Sequence, residues 1–110
     1  MKPHQQTSDS LYNIAILGCG KVAHLHAKAI ENLPNSKLAG VWSRTTKTAE
    51  DFSAQYKVPF YSDIKELIQQ EKIDLVIVCT PHPFHLKPVL EAANAGAHIL
   101  VEKPLASTLE

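Results

Sequence analysis

The sequence has few cysteines and no long apolar run, and each absence excludes a class of protein. Its 110 residues include only 2 cysteines, Cys19 and Cys79, which argues against a disulfide scaffold and fits a reduced, cytoplasmic protein. Because they lack C-x-x-C spacing, a redox pair is the less favoured interpretation. No apolar run is long enough to span a bilayer, so we predict no membrane partner. Residues 1–11 lack the apolar core of a signal peptide, and we expect a disordered lead-in there.

The sequence also lacks an excess of charge of either sign. Its 11 Lys and Arg residues balance 11 Asp and Glu residues, so no basic surplus is available to hold a phosphate backbone. Nucleic acid is therefore not a predicted partner. No carboxylate or thiol cluster accompanies the histidines, and no metal site is predicted. The chain is long enough for one domain with its own core, and too short for two.

Apolar segments and chain breakers alternate regularly. Strands are predicted at Asn13–Leu17, Lys37–Trp42, Phe60–Tyr61, Asp74–Cys79 and Ile99–Val101. A helix is predicted in each of the four intervals between strands, and each helix has an expected buried stripe. In the first helix the stripe is Val22, Leu25, His26, Ala29, Ile30 and Leu33, and in the second it is Ala49, Phe52 and Tyr56. In the third helix it is Ile64, Leu67 and Ile68, and in the fourth it is Leu86, Val89, Leu90 and Ala93. Asp63 with Glu66 resembles a capping box, and Gly96 suits a helix end. The order βαβαβαβαβ predicts an α/β protein with a doubly wound parallel sheet, the Rossmann fold, in strand order 3-2-1-4-5.

A glycine-rich turn follows the first predicted strand. Gly18–Ala23 reads G-x-G-x-x-A, which is a weak signal alone and a stronger one between a strand and a helix. Gly18 would permit the tight turn, Gly20 would let backbone approach a diphosphate, and Ala23 would allow close helix packing. The helix start offers free amides and a positive dipole end to the anion. We therefore predict dinucleotide binding by the loop residues Gly18, Cys19, Gly20, Lys21 and Val22.

The residues after the second predicted strand bear on the choice of cofactor. Ser43-Arg44-Thr45-Thr46-Lys47 stands where an NAD-binding protein usually has an acidic side chain for the ribose hydroxyls. A guanidinium, hydroxyls and an ammonium are instead available to a 2′-phosphate. We predict that Ser43, Arg44 and Thr45 bind the adenosine end, with NADP(H) preferred over NAD(H). The alternative is that Arg44 and Lys47 are a solvated helix start.

Two further loops are expected at the same carboxyl edge of the sheet. Thr80-Pro81-His82-Pro83-Phe84-His85 follows the fourth strand, and Glu102-Lys103-Pro104 follows the fifth. A lysine placed there would lie near the nicotinamide, where hydride transfer needs a proton donor or a positive charge at the developing alkoxide. The alternative for Lys103 is a solvated lysine after a strand.

Together these motifs resemble the family of glucose–fructose oxidoreductase, inositol 2-dehydrogenase and related sugar dehydrogenases (GFO/IDH/MocA). The resemblance runs from about Tyr12 to the last residue. It rests on the glycine loop with His26 downstream, Thr80-Pro81 with His85, Gly96-Ala97-His98 and Glu102-Lys103-Pro104. It implies an NAD(P)-dependent oxidoreductase acting on a sugar or polyol, with Lys103 catalytic and a Lys103–Pro104 peptide that is often cis. The cofactor contacts that we expect from the two loops come from Thr80, Pro81, His82, His85 and Glu102; His82 stands where the family usually has Asn.

The resemblance also implies a second, larger α/β domain with further catalytic residues and most of the sugar contacts. The sequence lacks such a domain, so residues 12–110 are expected to form a dinucleotide-binding domain that is inactive alone. Its exposed fifth strand would favour a homo-oligomer. The alternative function is a non-catalytic dinucleotide-binding module or sensor subunit.

Overall fold

A computed structural model of the protein describes residues 12–79 and 86–101, so the lead-in expected at residues 1–11 lies outside the described residues. Strands and helices alternate: β1 (Tyr12–Leu17), α1 (Lys21–Glu31), β2 (Ser36–Trp42), α2 (Thr46–Tyr56), β3 (Phe60–Tyr61), α3 (Ile64–Gln70), β4 (Leu75–Val78), α4 (Leu86–Asn94) and β5 (His98–Val101). Each strand boundary lies within one residue of the predicted one. None of the helices described has the length and apolar character needed to cross a membrane.

The strands form one sheet in the order β3-β2-β1-β4-β5, and every pair of neighbours is parallel. The predicted doubly wound α/β fold and its strand order are thus confirmed. The order reverses between β1 and β4, whose ladder ends with Leu17 beside Val78. In such sheets the crevice for a ligand lies outside the carboxyl ends of the strands at this reversal.

Helices cover the two faces of the sheet in pairs. Residues of α1 and α2 pack in one apolar cluster, and residues of α3 and α4 pack in another. The strand β4 serves both clusters, since Val76 and Val78 enter the α3–α4 cluster while Ile77 enters the α1–α2 cluster. Burial on both faces is what its solid apolar run predicted.

The predicted buried stripe of α1 is wrong. Val22 and Leu25 are 41% and 69% exposed, Ala29 is exposed, and Leu33 lies beyond the end of the helix. Of the predicted set, Ile30 is buried and His26 is half-buried. The face against the sheet consists of small residues with one isoleucine: Ala23, Ala27 and Ile30. Small side chains let the helix approach the sheet closely, and the larger residues are left on the outside.

The predicted buried stripe of α4 is also wrong, although the predicted end of the helix at Gly96 is confirmed. Leu90 is 52% exposed, Ala93 is exposed and Val89 is only half-buried, whereas Ala92 is fully buried. Gly96 ends the helix with φ of 94°, and the amides of Gly96 and Ala97 donate to the carbonyls of Ala93 and Ala92. This is the Schellman arrangement, which confirms the role predicted for Gly96.

The other two helices bury the predicted residues. In α2, Ala49 and Phe52 are buried and Tyr56 is half-buried. His24 of α1 packs on both aromatic rings, and its Nδ1 lies 2.7 Å from the Tyr56 hydroxyl. In α3 the buried residues are Ile64, Leu67 and Ile68. The capping box is wrong, because the N-cap residue Asp63 makes no side-chain cap hydrogen bond.

The strand β2 contains an irregularity and a close contact. Ile14 of β1 lies beside Leu38, but the next residue, Ala15, lies beside Gly40, so Ala39 is an extra residue in β2. Gly40 faces α3 so closely that a Cβ atom would lie 2.5 Å from Cδ1 of Leu67. Glycine at position 40 therefore lets α3 approach the sheet without displacing the Leu67 side chain.

Candidate functional site

The glycine loop is tied to the end of β2. Gly18 directly follows β1 with φ of 98°, a left-handed conformation that favours glycine. Its amide donates to the carbonyl of Trp42 at 2.6 Å. The turn that the sequence predicted is thus formed, and it brings the loop beside the residues that come after β2.

Gly20 has no internal reason to be glycine. It is the N-cap of α1, with φ of −89° and ψ of −160°, values that any residue adopts. A Cβ atom built on it would have no neighbour within 4 Å. The space above its backbone is therefore open, and a ligand that approaches the backbone would use it. This geometry fits the diphosphate of a dinucleotide.

The start of α1 is electrostatically suited to an anion. The first turn of a helix has amides without intrahelical partners, and the dipole of the helix adds positive character. At α1 no side chain caps these amides, and no acidic residue lies in the first turn. Lys21 and Val22, the first two helical residues, are exposed. The loop residues predicted from the sequence are therefore together at an accessible helix start.

Cys19 lies inside the loop but faces the core. Its side chain is 6% exposed, and Sγ lies 3.6 Å from the carbonyl of Trp42, to which the thiol donates. Burial, together with the nearby Cys79 thiol, raises the pKa of Cys19 to about 12. The thiol is consequently neutral at physiological pH and places no negative charge beside the loop. Only the backbone of Cys19 is available to a ligand.

The residues predicted to bind the adenosine end surround the start of α2. Thr45 is the N-cap, and its hydroxyl lies 2.7 Å from that of Thr48. Ser43 and Arg44 line an open pocket at the carboxyl ends of β2 and β3. Lys47 instead pairs with Asp51 one turn along α2 at 3.2 Å, with both side chains largely exposed. A surface pair of this kind contributes little to stability, so Lys47 can exchange partners at low cost.

Six of the predicted site residues lie outside the described residues: Thr80, Pro81, His82, His85, Glu102 and Lys103. The Lys103–Pro104 peptide lies outside them as well. The strands that lead to them are described. The amide of Cys79, just after β4, donates to the carbonyl of Leu17 at 2.7 Å, and β5 ends with Val101 beside Val78. Both strands thus end at the edge where the glycine loop lies.

The sequence interpretation missed the residues that β3 adds to this edge. Trp42 lies beside Tyr61, and the pocket that contains Ser43 and Arg44 is also lined by Phe60, Tyr61 and Ser62. Parallel pairing of the short third strand with β2 was the available signal, because it places the residues after both strands side by side.

Comparison with known proteins agrees with this geometry. The sequence profile of the GFO/IDH/MocA oxidoreductase family, which has an NAD-binding Rossmann fold, matches residues 12–110. The chain belongs to this family. The resemblance stated from the motifs is thereby confirmed, and residues 12–110 are an NAD-binding domain of an oxidoreductase family.

Three relatives show the range of the family. The chain is 35% identical over 98 residues to an inositol 2-dehydrogenase/D-chiro-inositol 3-dehydrogenase of Halalkalibacterium halodurans, over 86% of this chain and 28% of that enzyme. It is 35% identical over 98 residues to a scyllo-inositol 2-dehydrogenase (NAD(+)) of Bacillus subtilis, over 87% of this chain and 29% of that enzyme. A biliverdin reductase from Synechocystis, solved with biliverdin and NADP+, has a TM-score of 0.74 at 27% identity, over 84% of this chain and 29% of that one.

The chain thus spans less than a third of each of these relatives. Their cofactors also differ, since one is named for NAD(+) and another was solved with NADP+. Family membership therefore leaves the choice of cofactor to the residues of the individual protein.

Proposed function

We propose that the chain is the dinucleotide-binding part of an NADP(H)-dependent oxidoreductase that exchanges hydride with a sugar or polyol. The observation that carries the proposal is the open backbone of Gly20 at an uncapped helix start. Relatives that are named as inositol dehydrogenases support the substrate class. A cytoplasmic location and a homo-oligomeric assembly are parts of the same proposal.

The proposed roles divide along the carboxyl edge of the sheet. The loop Gly18–Val22 holds the diphosphate through the amides that follow Gly18, and Ser43, Arg44 and Thr45 hold the adenosine end. When bound, the cofactor supplies or accepts the hydride. Lys103 holds a proton, or positive charge, at the oxygen of the carbon that is oxidised or reduced. The remaining proposed cofactor contacts come from Thr80, Pro81, His82, His85 and Glu102.

The preference for NADP(H) is supported by the charges near Ser43. Among the described residues that line the pocket after β2 there is a guanidinium and no carboxylate. A carboxylate at that place would bind ribose hydroxyls and repel a 2′-phosphate, whereas a guanidinium attracts the phosphate.

Titration of the protein with NADPH and NADH by isothermal calorimetry tests this preference. Charge-assisted hydrogen bonds to one extra phosphate should make NADPH bind about tenfold more tightly or better. The ratio should fall as salt is added, because ionic contacts near the surface are screened. Equal or tighter binding of NADH would remove the NADP(H) part of the proposal.

Replacement of the proposed catalytic lysine tests the reaction. In a complete enzyme that contains this domain and its substrate domain, Lys103→Ala should lower kcat by about 100-fold or more, because a positioned proton donor contributes at least that factor. The Kd for NADPH should change less than twofold. Lys65→Ala, which removes an exposed lysine of α3, is the matched control and should leave both quantities unchanged. Undiminished turnover in Lys103→Ala would contradict the catalytic role.

A further inference from the structure

A pocket at the carboxyl ends of β2 and β3 extends the candidate site beyond the residues after β2. The register places Trp42 beside Tyr61, so the next residues, Ser43 and Ser62, leave neighbouring strands at the same level. Both of these serines line the pocket, and Arg44 lies with them. The third strand therefore contributes directly to the surface on which the adenosine end is proposed to rest.

The chemistry of the pocket suits a phosphate monoester. Its lining contains one guanidinium and the hydroxyls of Ser43, Thr46 and Ser62, and none of its lining residues is acidic. A phosphate monoester has oxygens that accept from a guanidinium and from hydroxyl groups at once. A neutral hydroxyl-rich ligand would not need the guanidinium, and a cation would be repelled by it.

Two hydrogen bonds indicate that Ser62 is the residue at the end of β3 whose hydroxyl is available to a ligand. The indole Nε1 of Trp42 donates to the backbone carbonyl of Ser62 at 3.2 Å, which fixes the end of β3 against β2. The hydroxyl of Tyr61 is already committed, since it donates to Oε2 of Glu71 at 2.5 Å. Ser62 is exposed, so its hydroxyl can reach a ligand in the pocket.

We infer that Ser62 is a specificity-determining residue whose hydroxyl, together with Ser43 and Arg44, receives the 2′-phosphate of the dinucleotide. The inference rests on the proposed function, because it names a further residue that reads the phosphate by which NADP(H) differs from NAD(H). It places one of the three phosphate-binding residues directly after β3, a strand of only 2 residues.

A charge introduced at position 62 tests the inference. Ser62→Asp should place a carboxylate against the phosphate and weaken NADPH binding about tenfold, while NADH binding changes less than twofold. Ser62→Ala removes one hydrogen bond and should weaken NADPH binding about threefold. Ser36→Asp is the matched control, because Ser36 begins β2 at the opposite edge of the sheet, about 20 Å away at roughly 3.3 Å per residue.

The single tryptophan of the chain provides an independent readout. Trp42 lines the pocket, and the sequence contains 1 Trp, so its emission reports on this place alone. Adding 2′,5′-ADP, which has the 2′-phosphate and no nicotinamide, should change the emission of the unaltered protein at a concentration about tenfold lower than in Ser62→Asp. ADP, which lacks the 2′-phosphate, should show no such difference between the two proteins.

The outcomes separate this inference from the proposed function. If the unaltered protein prefers NADPH and Ser62→Asp keeps that preference, the role of Ser62 is refuted and the proposed function stands. If Ser36→Asp causes the same loss as Ser62→Asp, the effect is one of overall charge and the inference also fails. If the unaltered protein prefers NADH, or binds neither cofactor, then both the inference and the NADP(H) proposal are refuted.

Discussion

Gly20 and Gly40 show two different reasons for a glycine in one fold. At Gly40 the reason is internal, because the adjacent helix α3 occupies the space that a side chain would need. At Gly20 the protein itself leaves that space open, and the backbone conformation is ordinary. The open space at Gly20 is the space that the proposed diphosphate would occupy. Loss of stability and loss of binding should therefore separate between the two sites.

Alanine at each position makes this a paired prediction. Gly40→Ala should lower the free energy of unfolding by about 1–3 kcal/mol, because the buried side chain of Leu67 must shift to make room for the new methyl group. Gly20→Ala should change it by less than about 0.5 kcal/mol and should weaken NADPH binding about tenfold, since the methyl group blocks the diphosphate. Urea unfolding and calorimetric titration of both variants measure these quantities. An unfolding energy that falls equally in both would contradict the distinction.

At the scale of elements, the sequence was informative about order and uninformative about helix faces. The alternation of apolar runs and breakers predicted the strands, and the handedness of parallel crossovers then predicted their order. In α1 and α4, however, two apolar faces share helical spacing, and hydrophobicity alone predicts burial of the face with the larger residues. The structure buries Ala23 and Ala92 instead. For Ala23 the glycine motif did predict burial, because the last position of the motif packs on the sheet, and Ala23 is fully buried.

Each part of the candidate site was predictable from the sequence only where the strand that leads to it was also predictable. The loop after β1 and the residues after β2 come from strand–helix junctions that the sequence marks clearly. The residues that β3 adds to the pocket were not predictable, because a strand as short as Phe60–Tyr61 has almost no pattern that indicates its pairing. The extra residue in β2 was likewise invisible, since it arises from pairing with β1 and not from β2 itself.

The end of α2 carries a backbone strain that one substitution should relieve. Lys57 follows the helix in a left-handed conformation, with φ of 57° and ψ of 48°, and the amide of Val58 donates to the carbonyl of Ser53. Because left-handed geometry is costly for any residue with a Cβ atom, Lys57→Gly should raise the free energy of unfolding by about 0.5–1 kcal/mol.

A second lysine provides the control for this substitution. Lys28 lies exposed within the right-handed helix α1, so Lys28→Gly should lower the free energy of unfolding by about 1 kcal/mol. Thermal and urea unfolding of the two variants should therefore shift in opposite directions. Destabilisation by Lys57→Gly would show that the left-handed turn is not a source of strain.

At the scale of the whole molecule, the two faces of the sheet are covered unequally. Leu100 of β5 pairs with Ile77 of β4 and so lies on the same face of the sheet. Ile77 is buried in the α1–α2 cluster, whereas Leu100 is 48% exposed. Over the described residues, β5 is the outer strand on this side of the sheet. An outer strand that carries an exposed apolar side chain favours association between chains.

We expect the isolated chain to self-associate as its concentration rises, in a manner that depends on Leu100. Leu100→Glu should shift the sedimentation profile toward the monomer, because a carboxylate opposes burial. Leu25→Glu, an equal change at an exposed leucine of α1, should have no effect. A chain that sediments strictly as a monomer at high concentration, or an equal response of both variants, would count against this expectation.

The extra residue in β2 has a consequence for how the length of this strand can vary. Ala39 and Gly40 both face α3, after which Val41 and Trp42 resume the alternation and face opposite clusters. The bulge thus absorbs one amino acid without exchanging the faces on which the later side chains lie. Loss of Ala39 would leave a regular strand whose last residues keep their sides. Position 39 is therefore a natural place for a one-residue deletion, which would leave the residues at the carboxyl end of β2 undisturbed.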